Sequence, residues 1–350
     1  MSIIYFFQHP RTAIRELIKD GFVWLPDPLY LKLIYWMGTG RILNLKNPKT
    51  FSEKLQWLKL YDHNPKYTDL VDKFKVKGIV SRLIGENYII PTLGVWEKPE
   101  DINWNDLPNQ FVLKTTHGGG SNGVIICRDK ASFNIDAAIE KLRQSMKQDI
   151  YRKFREWPYK NVPRRIIAEQ YINPTPDVTD LPDYKWYCFG GEPKYCQVIQ
   201  SRSSNESIDF FDTEWNHQDF IGLNPSASHA AVLPLKPKNL DVQIAIAKEL
   251  SKDTPFSRID LYEIEENTYF GEVTFYPASG TGTFRPEKFN EILGNLIELP
   301  CENGGGNYQM VTRSFMVFHQ TGSSGLQILL FQWGAKVLPG YKWEGYKNVC

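Results

Sequence analysis

The sequence predicts a mixed protein of the α+β and α/β classes, built from more than one domain. Three features support this prediction. Apolar and aromatic residues recur at helical spacing in residues 1–65, β-rich runs flank a glycine-rich loop within residues 111–127, and paired strands are predicted between residues 184 and 276. The chain has 350 residues, of which 42% are hydrophobic, so it is long enough to bury more than one core.

The N-terminal segment is predicted to begin with helices. Apolar and aromatic residues recur every three or four positions over residues 30–37, which is typical of a helix that buries one face. Thr50 and Glu53 have the spacing of a capping box, in which each side chain bonds the other residue's backbone N–H, at the start of a second helix. A charged helix is then predicted over residues 68–84, and a strand over residues 88–91.

The middle of the chain is predicted to be a small β-rich domain. Residues 111–114 and 124–127 are β-rich runs that flank the glycine-rich loop, which indicates two strands joined as a long hairpin. A helix over residues 137–154 and a strand over residues 165–171 follow.

The C-terminal part is predicted to pair strands around one helix. The helix covers residues 239–252, and the segment 173–182 is a loop by its Pro, Asp and Thr content. The predicted strands cover residues 184–189, 193–201, 258–264 and 268–276. The chain is therefore divided into residues 1–105, a helical and α/β domain; 106–175, a small lid domain; 176–300, a larger α+β domain; and 301–350, an unassigned tail.

Composition excludes several classes of protein. Lys and Arg together number 41 and Asp and Glu 40, so no overall basic field favours nucleic acid as a partner. The five cysteines are scattered without a CxxC pair, which indicates neither a disulfide framework nor a zinc site and suggests a cytoplasmic protein. The apolar run over residues 3–7 lacks the features of a signal peptide, and no stretch reaches the ~20 apolar residues of a transmembrane segment.

A glycine-rich loop after a strand is the first candidate binding element. Its residues are Gly118, Gly119, Gly120, Ser121, Asn122 and Gly123. Glycines allow backbone N–H groups to approach and surround phosphate oxygens, and Lys114 at the end of the preceding strand can add a positive charge. The pattern is neither a Walker A loop nor a dinucleotide-binding fingerprint. A flexible connection beside a solvated lysine is the alternative.

Two predicted neighbouring strands carry the second candidate site. Arg258 and Asp260 share one strand face, as do Glu272 and Thr274, because alternate residues point to the same side. In a simple hairpin register Asp260 lies close to Glu272, and a divalent cation best relieves the repulsion of two carboxylates. Oxygen ligands beside a phosphate favour Mg²⁺. A hairpin with its charges in water is the alternative.

Two further residue groups are weaker candidates. Asp183 and Lys185 share one strand face and either connect phosphate with metal or form a surface ion pair of little energetic value. His117 lies beside the glycine-rich loop, where a structural role and a substrate contact are both open. The sequence offers no Ser/His/Asp or Cys/His grouping for nucleophilic catalysis.

The order of these motifs resembles the ATP-grasp superfamily. The phrases NPKTFSEKLQWLKLYD, DKFKVKGIV, VLKTTHGGGSNGV, DYKWYCFGG, RIDLY and FGEVTFYPASG are similar to its TupA-like branch, which is often encoded with bacterial surface-polysaccharide genes. The resemblance runs from about residue 30 to residue 300. It implies an ATP-grasp fold, in which ATP lies between the small lid domain and the larger C-terminal domain.

The resemblance implies roles for individual residues. Lys114 and Lys73 would contact the ATP phosphates, the glycine-rich loop would close over them, and Glu169, Tyr171 and Ile172 would border the adenine.

It also implies a metal and catalytic site in the C-terminal part. Asp260 and Glu272 would hold Mg²⁺, with Thr274 where many superfamily members have Asn. Arg258 and Lys185 are the candidate catalytic residues, with Arg258 facing the reacting carboxylate, and Asp183 is a candidate cofactor contact.

These expectations predict an ATP-dependent carboxylate–amine ligase that forms an amide through an acyl phosphate. Its cofactors would be ATP and Mg²⁺, and its substrates an amino acid and a nucleotide-linked uronic acid or amino sugar. A sugar kinase or glycosyltransferase of the same pathway, and an ATP-binding scaffold without catalysis, are the alternatives. The oligomeric state, the substrates and the use of residues 301–350 stay open.

Overall fold

The computed structural model describes most of the chain between residues 21 and 300, and two strands beyond it. The described ranges are 21–120, 123–172, 183–200, 206–224, 227–264, 267–300, 313–320 and 326–333. The chain divides into two compact units, Met1–Pro300 and Cys301–Cys350. In the second unit, β-strands Arg313–Gln320 and Leu326–Trp333 pair antiparallel, in a segment that was left unassigned in the prediction.

Two predicted helices are found within residues 21–65, in the part of the first unit that the structure describes. Helix α1, Asp27–Thr39, ends at Gly40, whose φ of 76° is accessible to glycine at little cost. Helix α2, Phe51–Tyr61, begins with the predicted capping box: Thr50 Oγ1 accepts a hydrogen bond from Glu53 N at 3.2 Å, and Glu53 Oε2 accepts one from Thr50 N at 3.1 Å.

The helix predicted over residues 68–84 is wrong as a single element. It is two helices, α3 at Lys66–Val71 and α4 at Lys75–Ile84. Asp72 separates them because its side chain accepts hydrogen bonds from Phe74 N at 2.9 Å and Lys75 N at 3.2 Å.

The strand predicted over residues 88–91 is also wrong. A 3₁₀ turn occupies Glu86–Tyr88, and strand β1 covers Thr92–Trp96. Pro91 has no N–H to donate to a strand ladder, so the strand begins only after it.

A four-stranded antiparallel sheet forms around the glycine-rich loop. Strands β2, Phe111–Thr115, and β3, Val124–Cys127, pair as the predicted hairpin. Strand β4, Ile166–Gln170, lies between β1 and β2. The first strand of this sheet therefore precedes residue 106, and the domain boundaries at residues 105 and 175 stay a prediction.

The helix predicted over residues 137–154 is likewise two helices. Helix α5 covers Ile135–Met146 and α6 covers Ile150–Phe154. Asp149 caps the second helix, since its side chain accepts a hydrogen bond from Arg152 N at 2.8 Å.

A six-stranded antiparallel sheet forms the larger part of the unit. Its strands, in chain order, are β5 Asp183–Phe189, β6 Glu192–Gln200, β7 Ser207–Asp212, β8 His217–Gln218, β10 Phe256–Ile264 and β11 Asn267–Thr274. Their spatial order is β11-β10-β5-β6-β7-β8. Strands β5, β6, β10 and β11 match the predictions, whereas β7 and β8 were not predicted.

The remaining elements complete this part of the fold. Helix α7, Leu240–Leu250, confirms the predicted helix. Strands β9, Ile221–Gly222, and β12, Phe284–Arg285, form a short pair, and helix α8 covers Lys288–Asn295. No helix within the described ranges combines the length and the apolar character needed to cross a membrane.

Among the described residues, a larger and a smaller hydrophobic core pack against the two main sheets, and a third cluster surrounds Tyr30 and Ile34 of α1. In the larger core, aromatic rings of the six-stranded sheet pack on α2, with the rings of Phe51 and Phe256 edge to face at 5.0 Å. The smaller core lies in the four-stranded sheet and contains Phe111, Leu113 and Leu142. Burial of each such side chain contributes about 1.5–3 kcal/mol.

Candidate active site

The register of the larger sheet places charged residues in one row. Lys185 on β5 lies opposite Asp260 on β10, and Asp260 lies opposite Glu272 on β11. The close approach predicted for the two carboxylates is therefore confirmed. In the next row Arg258 lies opposite Thr274. Because alternate residues share a face, both rows project to the same side of the sheet.

Gly271 adjusts this arrangement at its edge. The register between β10 and β11 shifts after Asp260, which leaves a bulge at this glycine. A Cβ atom at position 271 would lie 3.0 Å from the Asp260 carbonyl oxygen and 2.9 Å from the Tyr262 ring. Glycine therefore permits the bulge that follows the Glu272–Asp260 pair.

Asp260 is the buried centre of the site, with 1% of its residue surface exposed. Arg258 Nε donates to Oδ1 at 2.6 Å, Arg258 Nη2 donates to Oδ2 at 2.7 Å, and Lys185 forms an ion pair with Oδ2. Burial raises the pKa of Asp260, and the two cations act in the opposite direction. Loss of either cation would leave buried charge less compensated.

Glu272 is the more accessible carboxylate, with 34% of its side chain exposed. Lys73 Nζ lies 3.6 Å from Oε2 and Arg258 Nη2 lies 3.5 Å from Oε1. Desolvation raises its pKa, but Lys73, Arg258 and further cations outweigh that effect and lower the pKa to about 2. Glu272 is therefore ionised at neutral pH, and Thr274 Oγ1 lies 3.5 Å from its Oε1.

Lys73 connects this network with the glycine-rich loop. Its Nζ donates to the Gly118 carbonyl at 2.6 Å, and its backbone N–H donates to the Thr116 carbonyl at 3.2 Å. Asp72 beside it forms an ion pair of 2.6 Å with Arg165 Nη2 and accepts a hydrogen bond from Lys75 N at the start of α4. Lys73 is thus held between the two sheets by its own backbone and by its neighbour.

The Thr115 hydroxyl group lies close to the glycines at both ends of the loop. Thr115 Oγ1 and Ser145 Oγ are hydrogen-bonded at 2.9 Å. Cβ atoms at Gly118 and Gly123 would lie only 2.5 Å and 2.6 Å from Thr115 Oγ1, so neither position has room for a side chain. Gly120 has a φ of 67°. Ser121 and Asn122 lie outside the described residues, and their phosphate contact stays a prediction.

A cleft beside the loop contains a buried carboxylate between two lysines. Glu169 Oε2 lies 2.6 Å from Lys114 Nζ, and its Oε1 lies 2.5 Å from Lys77 Nζ. Burial raises the pKa of Glu169, but the two lysines outweigh burial and lower it. The lining is completed by Lys73, Ile89, Ile90, Phe270 and Gly271. The cleft therefore combines apolar walls with three cationic side chains.

Lys77 is a site residue that the sequence reasoning missed. Its Nζ also donates to the Ile90 carbonyl at 2.6 Å, and burial lowers its pKa. The available signal was its position four residues after Lys73, in a phrase already used for the family resemblance.

The other predicted residues lie around this region. Asp183 is buried with its Oδ2 3.6 Å from Lys185 Nζ, so the two form the predicted ion pair, although in the interior rather than at the surface. Tyr171 and Ile172 directly follow β4 and are half-buried, and their adenine contact stays a prediction. His117 is buried at the start of the loop, where desolvation and Arg164 lower its pKa.

Comparison of the sequence with known protein families gives a match to one family. A sequence profile described as TupA-like ATPgrasp matches residues 53–298. No curated protein matches the sequence at a significant level.

The chain also has partial similarity, at low identity, to solved structures of several ligases. A D-alanine–D-alanine ligase from Bacillus anthracis is 18% identical with a TM-score of 0.38, covering 65% of this chain and 66% of that one. The corresponding enzyme from Helicobacter pylori is 14% identical with a TM-score of 0.39, covering 71% and 69%. A RimK domain ATP-grasp protein from Sphaerobacter thermophilus is 12% identical with a TM-score of 0.35, covering 66% and 69%. The chain spans 53% of the Bacillus anthracis ligase in its ATP complex.

Proposed function

Because this chain belongs to the TupA-like ATP-grasp family, we propose that it is an ATP-dependent ligase that joins a carboxylate to an amine. The observation that carries the proposal is the continuous chain of contacts from the glycine-rich loop, through Lys73, to Glu272, Arg258 and Asp260. Phosphate-binding backbone, cations and hard oxygen ligands then lie side by side. Phosphoryl transfer to a carboxylate needs this combination.

ATP is proposed to lie in the cleft between the two sheets. Its apolar walls, Ile89, Ile90 and Phe270, suit a nucleobase, which residues 169–172 would border. Lys73 and Lys114 would hold the phosphates together with the loop N–H groups. Lys114 shares Glu169 with Lys77, so a phosphate that binds Lys114 leaves the buried carboxylate with a second cation.

The oxygen atoms of Asp260, Glu272 and Thr274 fit a magnesium ion by their chemistry. Glu272 is ionised and partly exposed, which suits a ligand that must reach a metal beside a phosphate. Asp260 is held by Arg258 and Lys185, and a triphosphate would offer these cations alternative partners. When bound, Mg²⁺ would neutralise charge that develops on the transferred phosphoryl group.

The chain's own residues then have defined tasks. Lys73 and Lys114 would orient the γ-phosphate for in-line attack by the substrate carboxylate, which yields an acyl phosphate and ADP. Arg258, whose guanidinium already bridges Asp260, Glu272 and Thr274, would stabilise the oxyanion formed when the amine adds to the acyl carbon. Phosphate leaves, and the loop over Gly118–Gly123 would exclude water that otherwise hydrolyses the intermediate.

The proposed substrates follow from the family resemblance. A nucleotide-linked uronic acid would supply the carboxylate to an amino acid, or a nucleotide-linked amino sugar would supply the amine. Either reaction would serve surface-polysaccharide synthesis.

The first test is ADP release with Mg²⁺-ATP over a matrix of nucleotide-linked sugars and amino acids, with mass spectrometry of the products. A product equal in mass to both substrates minus water, formed with ADP and phosphate, supports ligation. A phosphorylated sugar alone indicates a kinase, and ATP binding without turnover across the matrix indicates a scaffold. A matched Glu272→Gln variant controls for contaminating ATPase, because it should lose the activity.

A further inference from the structure

A second cluster of ligand-type side chains lies on the far edge of the six-stranded sheet. Asp209 on β7 places its Oδ1 3.0 Å from His217 Nε2 on β8 and 2.8 Å from His229 Nδ1. All three ligand atoms lie within 4.8 Å of one another. Strand β6 separates β7 from β5, so this cluster is distinct from the row that contains Lys185 and Asp260.

The side chains of the cluster are arranged as in a binding site and not as in a surface contact. Asp209 is completely buried, and its second oxygen, Oδ2, accepts a hydrogen bond from Ala230 N at 3.1 Å. That bond fixes the carboxylate from behind, as an outer-shell contact does for a metal ligand. The histidine side chains are 28% and 32% exposed, which leaves a route for solvent on the outer side.

The charge of the cluster favours a cation. A buried carboxylate needs compensating positive charge, and the described side chains that hydrogen-bond to Asp209 are two imidazoles, whose nitrogens can also bind a metal ion. A divalent ion among the three would supply that charge. Ligand atoms of a tetrahedral zinc site lie about 3.4 Å apart, so small rearrangements of the side chains would admit the ion.

We propose that Asp209, His217 and His229 bind one Zn²⁺ ion, with water in the fourth position. Two imidazole nitrogens and one carboxylate oxygen suit zinc, whereas Mg²⁺ prefers oxygen ligands alone. The sequence indicated no zinc site because that reasoning considered cysteine pairs, and these ligands are spread over 21 positions on three segments.

The ion would attach the segment after residue 226 to the edge of the sheet. Ile208 N donates to the Ser228 carbonyl at 3.0 Å, next to the ligand His229, and Ser207 and Ser228 form an isolated parallel bridge. Strand β8 has only two residues and ends the sheet. Zinc would therefore join β7, which is fully paired with β6, to the short strand β8 and to the segment after residue 226, which is a structural role independent of ligase activity.

The test uses the full, tag-free chain, stripped of metal and dialysed against Zn²⁺ at pH 7.5 with Mg²⁺ in excess to saturate oxygen-only sites. We expect one Zn²⁺ per chain and a rise in melting temperature of a few degrees. His217→Gln and His229→Gln should each lower the zinc affinity by more than about tenfold. His63→Gln is the matched control, since His63 stacks on Trp157 away from the cluster, and it should keep full affinity.

Substitution with Co²⁺ provides a readout that does not depend on stable variants. The wild-type chain should show the intense visible absorption of tetrahedral Co²⁺, and added Zn²⁺ should abolish it. Absence of bound zinc in the folded wild-type chain would overturn the proposal. So would affinity that stays unchanged in both histidine variants, or a Co²⁺ spectrum typical of octahedral oxygen coordination.

Discussion

Arg258 is the residue whose geometry constrains the proposed chemistry most. Its guanidinium reaches Asp260 through two nitrogens and Thr274 through one of them, a forked arrangement that a lysine ammonium cannot reproduce. Arg258→Lys keeps the charge, so Asp260 stays paired, but the planar donors are lost. We expect turnover to fall about 100-fold, because a donor to the developing oxyanion is removed, with a much smaller change in ATP affinity. Steady-state ADP release and calorimetric ATP binding check this.

Arg143→Lys is the matched control for that substitution, because Arg143 lies at the surface in an ion pair with Glu100. Equal losses of turnover and ATP affinity in Arg258→Lys would assign Arg258 to nucleotide binding instead.

The lowered pKa of Glu272 predicts that the free energy of unfolding falls as the pH is lowered. Its pKa is about 2 in the folded chain, below the ordinary value of 4.5, so the folded state holds the ionised form more strongly than the unfolded state does. Its contribution to stability is complete above about pH 4.5 and is lost as pH falls towards 2. The free energy of unfolding of the wild type should therefore fall more steeply from pH 6 to pH 3.5 than that of Glu272→Gln. Urea unfolding at both pH values measures this difference, and parallel profiles would contradict it.

Residue-level signals in the sequence reached most of the site but not all of it. Period-two alternation correctly placed Asp260 beside Glu272, because their strands are consecutive and joined by a short turn. Lys77 escaped because its partner, Glu169, is 92 positions away and meets it only in the folded chain. The apolar walls at Ile89 and Phe270 escaped for the same reason.

At the scale of elements, the space around individual glycines of the loop predicts the effect of substituting them. A Cβ atom at Gly118 would lie 2.5 Å from Thr115 Oγ1, whereas one at Gly119 would meet only Ile150 Cδ1 at 3.7 Å, an ordinary contact. Gly118→Ala should therefore displace the loop and weaken ATP binding by about tenfold or more, and Gly119→Ala should have a smaller effect. Calorimetric titration with an ATP analogue measures both.

A double variant separates displacement of the loop from a general loss of glycine flexibility. Thr115→Ala removes the clashing hydroxyl, so Thr115→Ala/Gly118→Ala should bind better than the sum of the single effects predicts. Strictly additive losses would show that the contact with Thr115 does not determine the loop conformation.

The errors in predicting elements have local physical causes. The two long predicted helices are each interrupted by an aspartate, Asp72 or Asp149, that accepts hydrogen bonds from the N–H groups of the next helix. Hydrophobic periodicity continues across such a cap, so the pattern alone does not reveal the break. The strand predicted over residues 88–91 is wrong because Pro91 has no N–H to donate to a strand ladder. The position of this proline was already visible in the sequence.

At the scale of the molecule, the fold class was predictable from the sequence, and the packing between distant segments was not. The ATP-grasp architecture is confirmed by the family match over residues 53–298. The pairing of β1 with β4, and the contribution of Phe51, Leu55 and Val80 from helices α2 and α4 to the core of the six-stranded sheet, were not predicted. Such long-range packing is determined by surfaces that come together only in the folded chain, and sequence-local patterns do not carry it.

The cleft that contains Glu169 is lined by residues of both sheets. Lys114 belongs to the four-stranded sheet, and Phe270 to the six-stranded one, so a nucleotide in the cleft would contact both bodies and their separate cores. A ligand whose free concentration is a hundredfold above its Kd stabilises the folded state by about 2.7 kcal/mol. A non-hydrolysable ATP analogue with Mg²⁺ should therefore raise the melting temperature of the whole unit by a few degrees.

Lys114→Met should abolish most of that rise without unfolding the chain, because Glu169 keeps its ion pair of 2.5 Å with Lys77. Lys98→Met, at an exposed position in the segment after β1, is the matched control and should retain the full rise. Differential scanning calorimetry with and without the analogue measures all three chains. An unchanged rise in Lys114→Met would place the nucleotide outside this cleft, whereas a rise lost in both variants would indicate a non-specific effect of charge. Because the buried carboxylate of Glu169 pairs with two cations, Lys114 can bind a phosphate while Lys77 keeps the carboxylate compensated.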